Sequence, residues 1–230
     1  MINMQTICIS LGGSVVSNNK GLNIEYIKGF RKIIEKYKKI KFVITVGGGF
    51  ISRKYIEILR ENNISEFALD EIGIAFTNVN ALAVKSIFNN IDSVYPAVIK
   101  SVNVSKVAHQ SRIMFCSGSI PGITTDADSV LRCESLGAKR LINISIESGI
   151  YDRDPKEKGA RKLSQLTHNE LIELVEKYDT REAKVNFVFD LVASKLAKRS
   201  NIRIDFIGSN LDNLDLAISG KEHSGSVVKD

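Results

Sequence analysis

Four β-branched residues, Val43-Ile44-Thr45-Val46, run straight into Gly47-Gly48-Gly49, and helical character follows from Ile51. The run reads as a buried strand, and the three glycines remove every side chain from its C-terminal end. Arg53 follows within about one turn of the helix start. Bare backbone N–H groups, a helix N-terminus and a guanidinium together suit a phosphate. A flexible turn is the plainer reading of a lone glycine triplet.

The same grammar recurs along the chain. Thr6–Ser10 reads as a strand ending in Leu11-Gly12-Gly13-Ser14, and Lys41–Val46 as the second strand. Helical periodicity covers Ile24–Tyr37, Ile51–Glu61 and Asp70–Phe88. Strands are predicted at Ala97–Ile99, Arg112–Cys116, Arg140–Ile144 and Ile202–Ile207, and helices at Asp126–Leu136, Leu163–Glu176, Lys184–Arg199 and Leu211–Ile218. Val227-Val228 reads as a final edge strand, and Lys156–Lys162 as a charged connector. Strand–helix alternation of this kind predicts an α/β protein, a three-layer α/β/α sandwich around a mostly parallel sheet. A compositional break near residues 145–165 suggests two lobes.

The 230 residues, 43% hydrophobic and 25% charged, can bury a full core. A net charge of +6 is spread over the chain with no interleaved aromatics, so nucleic acid is not the expected partner. Cys8, Cys116 and Cys133 stand far apart, which predicts reduced thiols, and His109, His168 and His223 lack metal-ligand spacing. No metal held by side chains alone is expected, and no signal peptide or membrane-spanning run. The expected location is the cytoplasm.

In a parallel sheet the strand C-termini share one edge, where ligands bind. Gly12-Gly13-Ser14, Gly47-Gly48-Gly49 and the loop Ser117–Asp126 all follow predicted strands, which suggests a polyphosphate site with room for a second phosphate. Thr124-Thr125-Asp126 would serve equally as a helix cap, as would Asp70 before Glu71. Asp190 lies in an apolar stretch, either paired with Lys184 or Lys195 or placed for catalysis. A dinucleotide G-x-G-x-x-G fingerprint and a Walker A loop are both absent from the sequence.

These segments resemble the amino acid kinase superfamily, and within it the archaeal type of uridylate (UMP) kinase. The likeness rests on Ser10-Leu11-Gly12-Gly13-Ser14-Val15, Val46-Gly47-Gly48-Gly49 with Arg53-Lys54-Tyr55-Ile56, and Leu69-Asp70-Glu71-Ile72-Gly73-Ile74. It continues through Asn80-Ala81, Pro121–Asp126, Gly149-Ile150-Tyr151 with Asp154-Pro155, and Phe189-Asp190 with Ala193-Ser194-Lys195.

The resemblance implies transfer of the ATP γ-phosphate to UMP, with Mg²⁺ accompanying ATP, in pyrimidine nucleotide biosynthesis. It assigns Asp190 and Arg53 to catalysis. Gly13, Ser14, Gly49, Arg53, Ser145, Ile146, Tyr151 and Asp154 would bind ATP. Gly48, Asp70 and Ser119, Ile120, Pro121, Gly122, Ile123, Thr124 and Thr125 would bind UMP, with Asp70 on the ribose. It implies one domain, with an acceptor lobe of about 1–140 and an ATP lobe of about 141–230, and a homo-oligomer, a hexamer built from dimers. A weakly catalytic nucleotide-binding homologue, or a sister kinase with another acceptor, is the alternative.

The chain departs from the family pattern at four places. Ser145-Ile146-Glu147-Ser148-Gly149 replaces a Thr-Asn-Val-Asp-Gly segment, and Asn78 stands where an arginine is common. Phe50 replaces a residue that is often polar or basic, and Ser10 stands where bacterial relatives carry a lysine.

Overall fold

The computed structural model describes residues 4–178 and 189–230. In chain order its elements are β1 (Gln5–Leu11), α1 (Gly13–Val16), β2 (Ser17–Asn18), β3 (Gly21–Leu22), α2 (Ile24–Lys36), β4 (Ile40–Val46), α3 (Gly49–Glu61) and α4 (Glu66–Ile87). Then come β5 (Ile113–Cys116), α5 (Thr125–Ser135), β6 (Arg140–Ile144), β7 (Ile150–Tyr151), β8 (Lys162–Leu163), β9 (Gln165–Leu166) and α6 (His168–Tyr178). The chain ends with α7 (Leu191–Arg199), β10 (Arg203–Ile207), α8 (Leu211–Ser219) and β11 (Ser226–Val228).

Seven strands of the described residues form one sheet in the order β5-β4-β1-β6-β10-β11-β9. The five from β5 to β10 are parallel, and β11 runs antiparallel to β10. Alternate residues of each strand face opposite ways. On one side Ile7, Ile9, Phe42, Ile44 and Ile142 meet Ile27 and Phe30 of α2, Val84 of α4 and Leu214 of α8. On the other, Cys8, Val43, Met114 and Leu141 meet Val130 and Cys133 of α5, Leu171 of α6 and Ala193 and Ala197 of α7. Apolar layers on both faces are what a sandwich of helices around a parallel sheet requires. The three cysteines lie buried as free thiols.

Several boundaries differ from the sequence reading, each for a local reason. α4 starts at Glu66 because Ser65 caps it, accepting the Ala68 N–H at 3.4 Å, so Asp70 lies within the helix and is no cap. The predicted strand Ala97–Ile99 is absent among the described residues. Pro96 lacks a donor for a ladder, and only Val94 and Ile99 bridge β5. The predicted helix from Leu163 begins at His168, where Thr167 and Glu170 exchange hydrogen bonds in a capping box. Lys162–Leu163 and Gln165–Leu166 are strands, so β9 is the sheet edge and β11 is enclosed by β10 and β9. Residues 184–188 of the predicted helix Lys184–Arg199 lie outside the described residues, and the helical part starts at Leu191.

The sequence reading placed no membrane-spanning segment here. Yet α4 is long and apolar enough to cross a bilayer, with 22 residues and an 18-residue stretch of mean hydropathy 1.3. It packs against α3 and against strands β4 and β5.

Candidate active site

The register aligns the first two glycine turns. β1 and β4 pair Leu11 with Val46, so Gly12 and Gly47 leave the sheet side by side. A Cβ on Gly13 would sit 2.1 Å from the Gly49 nitrogen, and one on Gly47 would sit 2.6 Å from the Gly13 nitrogen. Gly49 has φ +78°, and a Cβ there would come within 2.1 Å of Ser17 Oγ. The glycines therefore do more than bare the backbone for a ligand: they let two turns touch main chain to main chain. Above this contact Arg53 Nη2 donates to Ser14 Oγ at 2.8 Å, bringing together two residues predicted to hold ATP. Gly48, the residue preceding α3, gives the helix no side-chain cap. The first N–H groups of that 13-residue helix are of the kind that anions accept from.

Beside these turns lies a cavity of about 180 Å³. Of the predicted acceptor residues, Gly48, Asp70, Ile120, Ile123 and Thr125 line it. The remainder shape the loop above it. Ser119 is anchored through its N–H and Oγ to Asp128, at 2.9 and 2.5 Å. Gly122 N–H donates to Asp70 at 2.7 Å, and Pro121 sits between these two tethers. Thr124 caps α5 by accepting the Ala127 N–H at 3.1 Å, so the capping alternative is the one realised at this residue. Ser52, Gly73, Ile74, Thr77 and Gly118 complete the wall; the sequence reading quoted Gly73, Ile74 and Gly118 within longer segments but assigned none of the five to the acceptor.

α4 supplies Asp70, Gly73, Ile74, Thr77 and Asn80 at three- and four-residue spacing, hence on one face. Polar residues at that spacing in an otherwise apolar helix were the available signal. Thr77 Oγ1 accepts the Gly118 N–H at 2.8 Å, and Asn80 Nδ2 donates to the carbonyls of Gly47 and Gly48 at 2.8 and 2.9 Å.

Beneath the loop are buried charges, of which the sequence reading missed Arg132 and Asp128. Arg132 is wholly buried and donates to Thr45 Oγ1, Ser117 O, Lys100 O and Ser101 O at 2.8–3.3 Å. Its charge offsets burial at Asp128, whose carboxyl is nevertheless held above the usual carboxylate range by desolvation. Asp126 Oδ1 accepts from Ser10 Oγ at 2.7 Å and Asn143 Nδ2 at 2.8 Å. Burial pushes this carboxyl up to about 6, and the neighbouring charge of Asp190 adds to the rise. Asp190 also caps α7, its Oδ1 accepting the Ala193 N–H at 2.6 Å, while Lys195 reaches Glu176 at 2.9 Å.

The predicted adenosine segment leaves the same sheet edge. Gly12 N–H donates to Ile144 O at 2.8 Å, and β6 and β10 end level at Ile144 and Ile207. Ser145 Oγ donates to Glu147 O at 2.9 Å, and Ile146 is 62% exposed. Tyr151 OH meets Ser148 Oγ at 3.0 Å. Asp154 accepts the Lys156 N–H at 2.9 Å, closing its own turn. Ser226 Oγ accepts the Ile150 N–H at 2.8 Å and ties this segment to β11. Among the described residues, no group of three or more His, Cys, Asp and Glu side chains could hold a metal ion.

Known proteins resemble this chain in sequence and in fold. The family model described as "Amino acid kinase family" matches residues 5–207. The uridylate kinase of Thermoplasma acidophilum is 33% identical over 227 residues, covering 98% of this chain and 97% of that protein. The uridylate kinase of Methanoculleus marisnigri is 36% identical, covering 98% and 96%. A crystal structure of uridylate kinase from Archaeoglobus fulgidus superposes with a TM-score of 0.83 at 34% identity, covering 96% of this chain and 99% of that one. The UMP kinase structure from Ureaplasma parvum, at 21% identity and TM-score 0.82, shares the fold. The chain belongs to the amino acid kinase family.

Proposed function

We propose that this protein is a UMP kinase, transferring the γ-phosphate of ATP to UMP to yield UDP and ADP. The observation that carries the reading is the acceptor cavity opening beside two interlocked glycine turns, with Asp70 and Thr125 in its wall. Phosphoryl transfer asks a protein mainly to position two anions and neutralise charge between them. Gly48 on the acceptor side and Gly49 on the donor side stand next to each other in one turn, which supports bringing the two phosphates together there. Arg53, beside Ser14, is the cation placed to follow the transferred group. Ser10 donates to Asp126 where bacterial relatives carry a lysine, so Arg53 carries more of this duty here.

ATP would lie towards Gly13, Ser14, Ser145, Ile146, Tyr151 and Asp154, with residues of about 141–230 as the donor lobe and about 1–140 as the acceptor lobe. Mg²⁺ would arrive on the ATP phosphates and neutralise their charge. Asp126 and Asp190, electrostatically coupled, are the acidic groups suited to face such a nucleotide-borne ion. Asp190 would act on the reacting groups as the catalytic aspartate. In this reading the enzyme serves pyrimidine nucleotide biosynthesis in the cytoplasm.

A homo-oligomer, with a hexamer as the expected form, is supported by the outer face of α3 and α4. Ile51, Tyr55, Ile58, Phe67, Val79 and Leu82 are all exposed there, more apolar surface than a monomer's helix pair ordinarily shows water. A coupled ADP-release assay with ATP, Mg²⁺ and a panel of nucleoside monophosphates tests the function. Turnover confined to UMP or strongest with it is expected. Saturable nucleotide binding without turnover would replace this reading with a binding protein on the same fold.

A further inference from the structure

The glycine turn must show a phosphate its N–H groups and hide its carbonyl oxygens, yet glycine by itself prefers neither orientation. Something outside the turn has to choose. Asn80 is 7% exposed, and its single amide nitrogen donates to both Gly47 O and Gly48 O. An amide nitrogen carries two hydrogens, so this pair of bonds saturates it.

The peptide unit is planar, and in its ordinary trans form the C=O and the following N–H point in opposite directions. Pulling Gly47 O towards α4 therefore aims the Gly48 N–H away from α4. Pulling Gly48 O likewise aims the Gly49 N–H. We infer that Asn80 is a positioning residue that sets the polarity of the glycine turn, turning two carbonyls inward so that consecutive N–H groups face the phosphates. Thr77, one turn earlier on α4, holds the Gly118 N–H at the root of the acceptor loop. One helix face thus fixes both walls that a phosphate acceptor would meet.

The inference rests on the UMP kinase reading, and the test separates the two. Asn80→Asp keeps the side chain's shape but sets carboxylate oxygens against two carbonyl oxygens, which drives the turn to rotate. Calorimetry would compare UMP with uridine, and ATP with adenosine, on the wild type and the variant. Loss of turn polarity removes affinity for phosphate and leaves the nucleoside contribution, so the UMP-to-uridine affinity ratio should fall at least tenfold. An unchanged ratio, or equal losses for nucleotide and nucleoside, would overturn the inference. Should Asn80→Asp fail to fold, Asn80→Ala removes the donor without adding a charge, and the same ratio should fall severalfold. A ratio equal to wild type in that variant would also overturn it. If the wild type itself binds UMP no better than uridine, the proposed acceptor is what fails.

Discussion

The Asp70 carboxylate accepts the Gly122 N–H at 2.7 Å, joining α4 to the acceptor loop across the mouth of the cavity. The bond fastens the loop at a residue with φ +80°, a left-handed conformation that glycine adopts without strain. The same carboxylate is the group proposed to meet the ribose. Asp70→Ala loses both functions, and the KM for UMP should rise about tenfold, since a charge-assisted bond at this exposed position is worth less than a buried one. The KM for ATP should move little. Steady-state kinetics with each substrate varied in turn checks this, and an unaltered KM for UMP would remove Asp70 from the acceptor site.

Asp190 has two duties that one substitution can separate. Asparagine caps a helix about as well as aspartate, so Asp190→Asn should leave stability within about 1 kcal/mol of wild type. The charge facing Asp126 disappears, and kcat should fall by about 10²- to 10⁴-fold, the range for loss of a positioned acid or base. UMP affinity should hold. Wild-type turnover in a variant with intact thermal unfolding would end the catalytic assignment.

Asp126 gives stability a pH dependence of definite sign. Its carboxyl is raised from 3.8 to about 6 in the folded protein, so between those values the native state binds the proton more tightly than the unfolded chain does. Its contribution to stability therefore declines as pH rises from about 4 to about 6, then levels off. At about 1.4 kcal/mol per pH unit, the accumulated cost is on the order of 3 kcal/mol. Asp126→Asn keeps an oxygen for Ser10 and Asn143 and removes the buried charge. Its stability relative to wild type should climb across that window, as denaturant titrations at several pH values would reveal. A difference independent of pH would contradict the raised value.

The apolar outer face of α3 and α4 predicts how the chain assembles. Phe67 and Val79 are 62% and 58% exposed, so glutamate at both should disturb the fold little. The same charges inside an interface would be costly. Light scattering should show the Phe67→Glu, Val79→Glu double variant as monomers where the wild type is larger. An assembly of unchanged mass would place the interface elsewhere.

Much of the sheet was legible because a buried parallel strand is an apolar, β-branched-rich run closed by glycine, as β1 and β4 are. The local signals failed where tertiary contact decided. Ser65 rather than Asp70 begins α4, although both are good capping residues, and only the turn at Asn62-Asn63 separates the cases. Thr167 and Glu170 announced α6, but the apolar spacing of Leu163 and Leu166 concealed two strand residues on each side of Ser164. Within the site, the glycines could be found from sequence because each turn closes a predicted strand, whereas Asp70 read locally as a helix cap and gained a site role only through the family resemblance. Arg132 could not, since its four acceptors come from β4 and from the segments either side of β5, up to 87 residues away. Asn80 could be quoted as part of a motif, but its two carbonyl partners appear only once α4 lies against the turn.

The touching turns at Gly13 and Gly49 carry a consequence for how such a protein can change. If the two substrates meet at these turns as proposed, their separation is built from main chain, and no side chain is available there for selection to adjust. A larger residue at either position would pry β1 from β4 instead of resizing the site. On that proposal, drift in acceptor preference is steered to Ile74, Ile120 and Ile123 of the cavity wall, where side chains can be exchanged without moving the glycine turns.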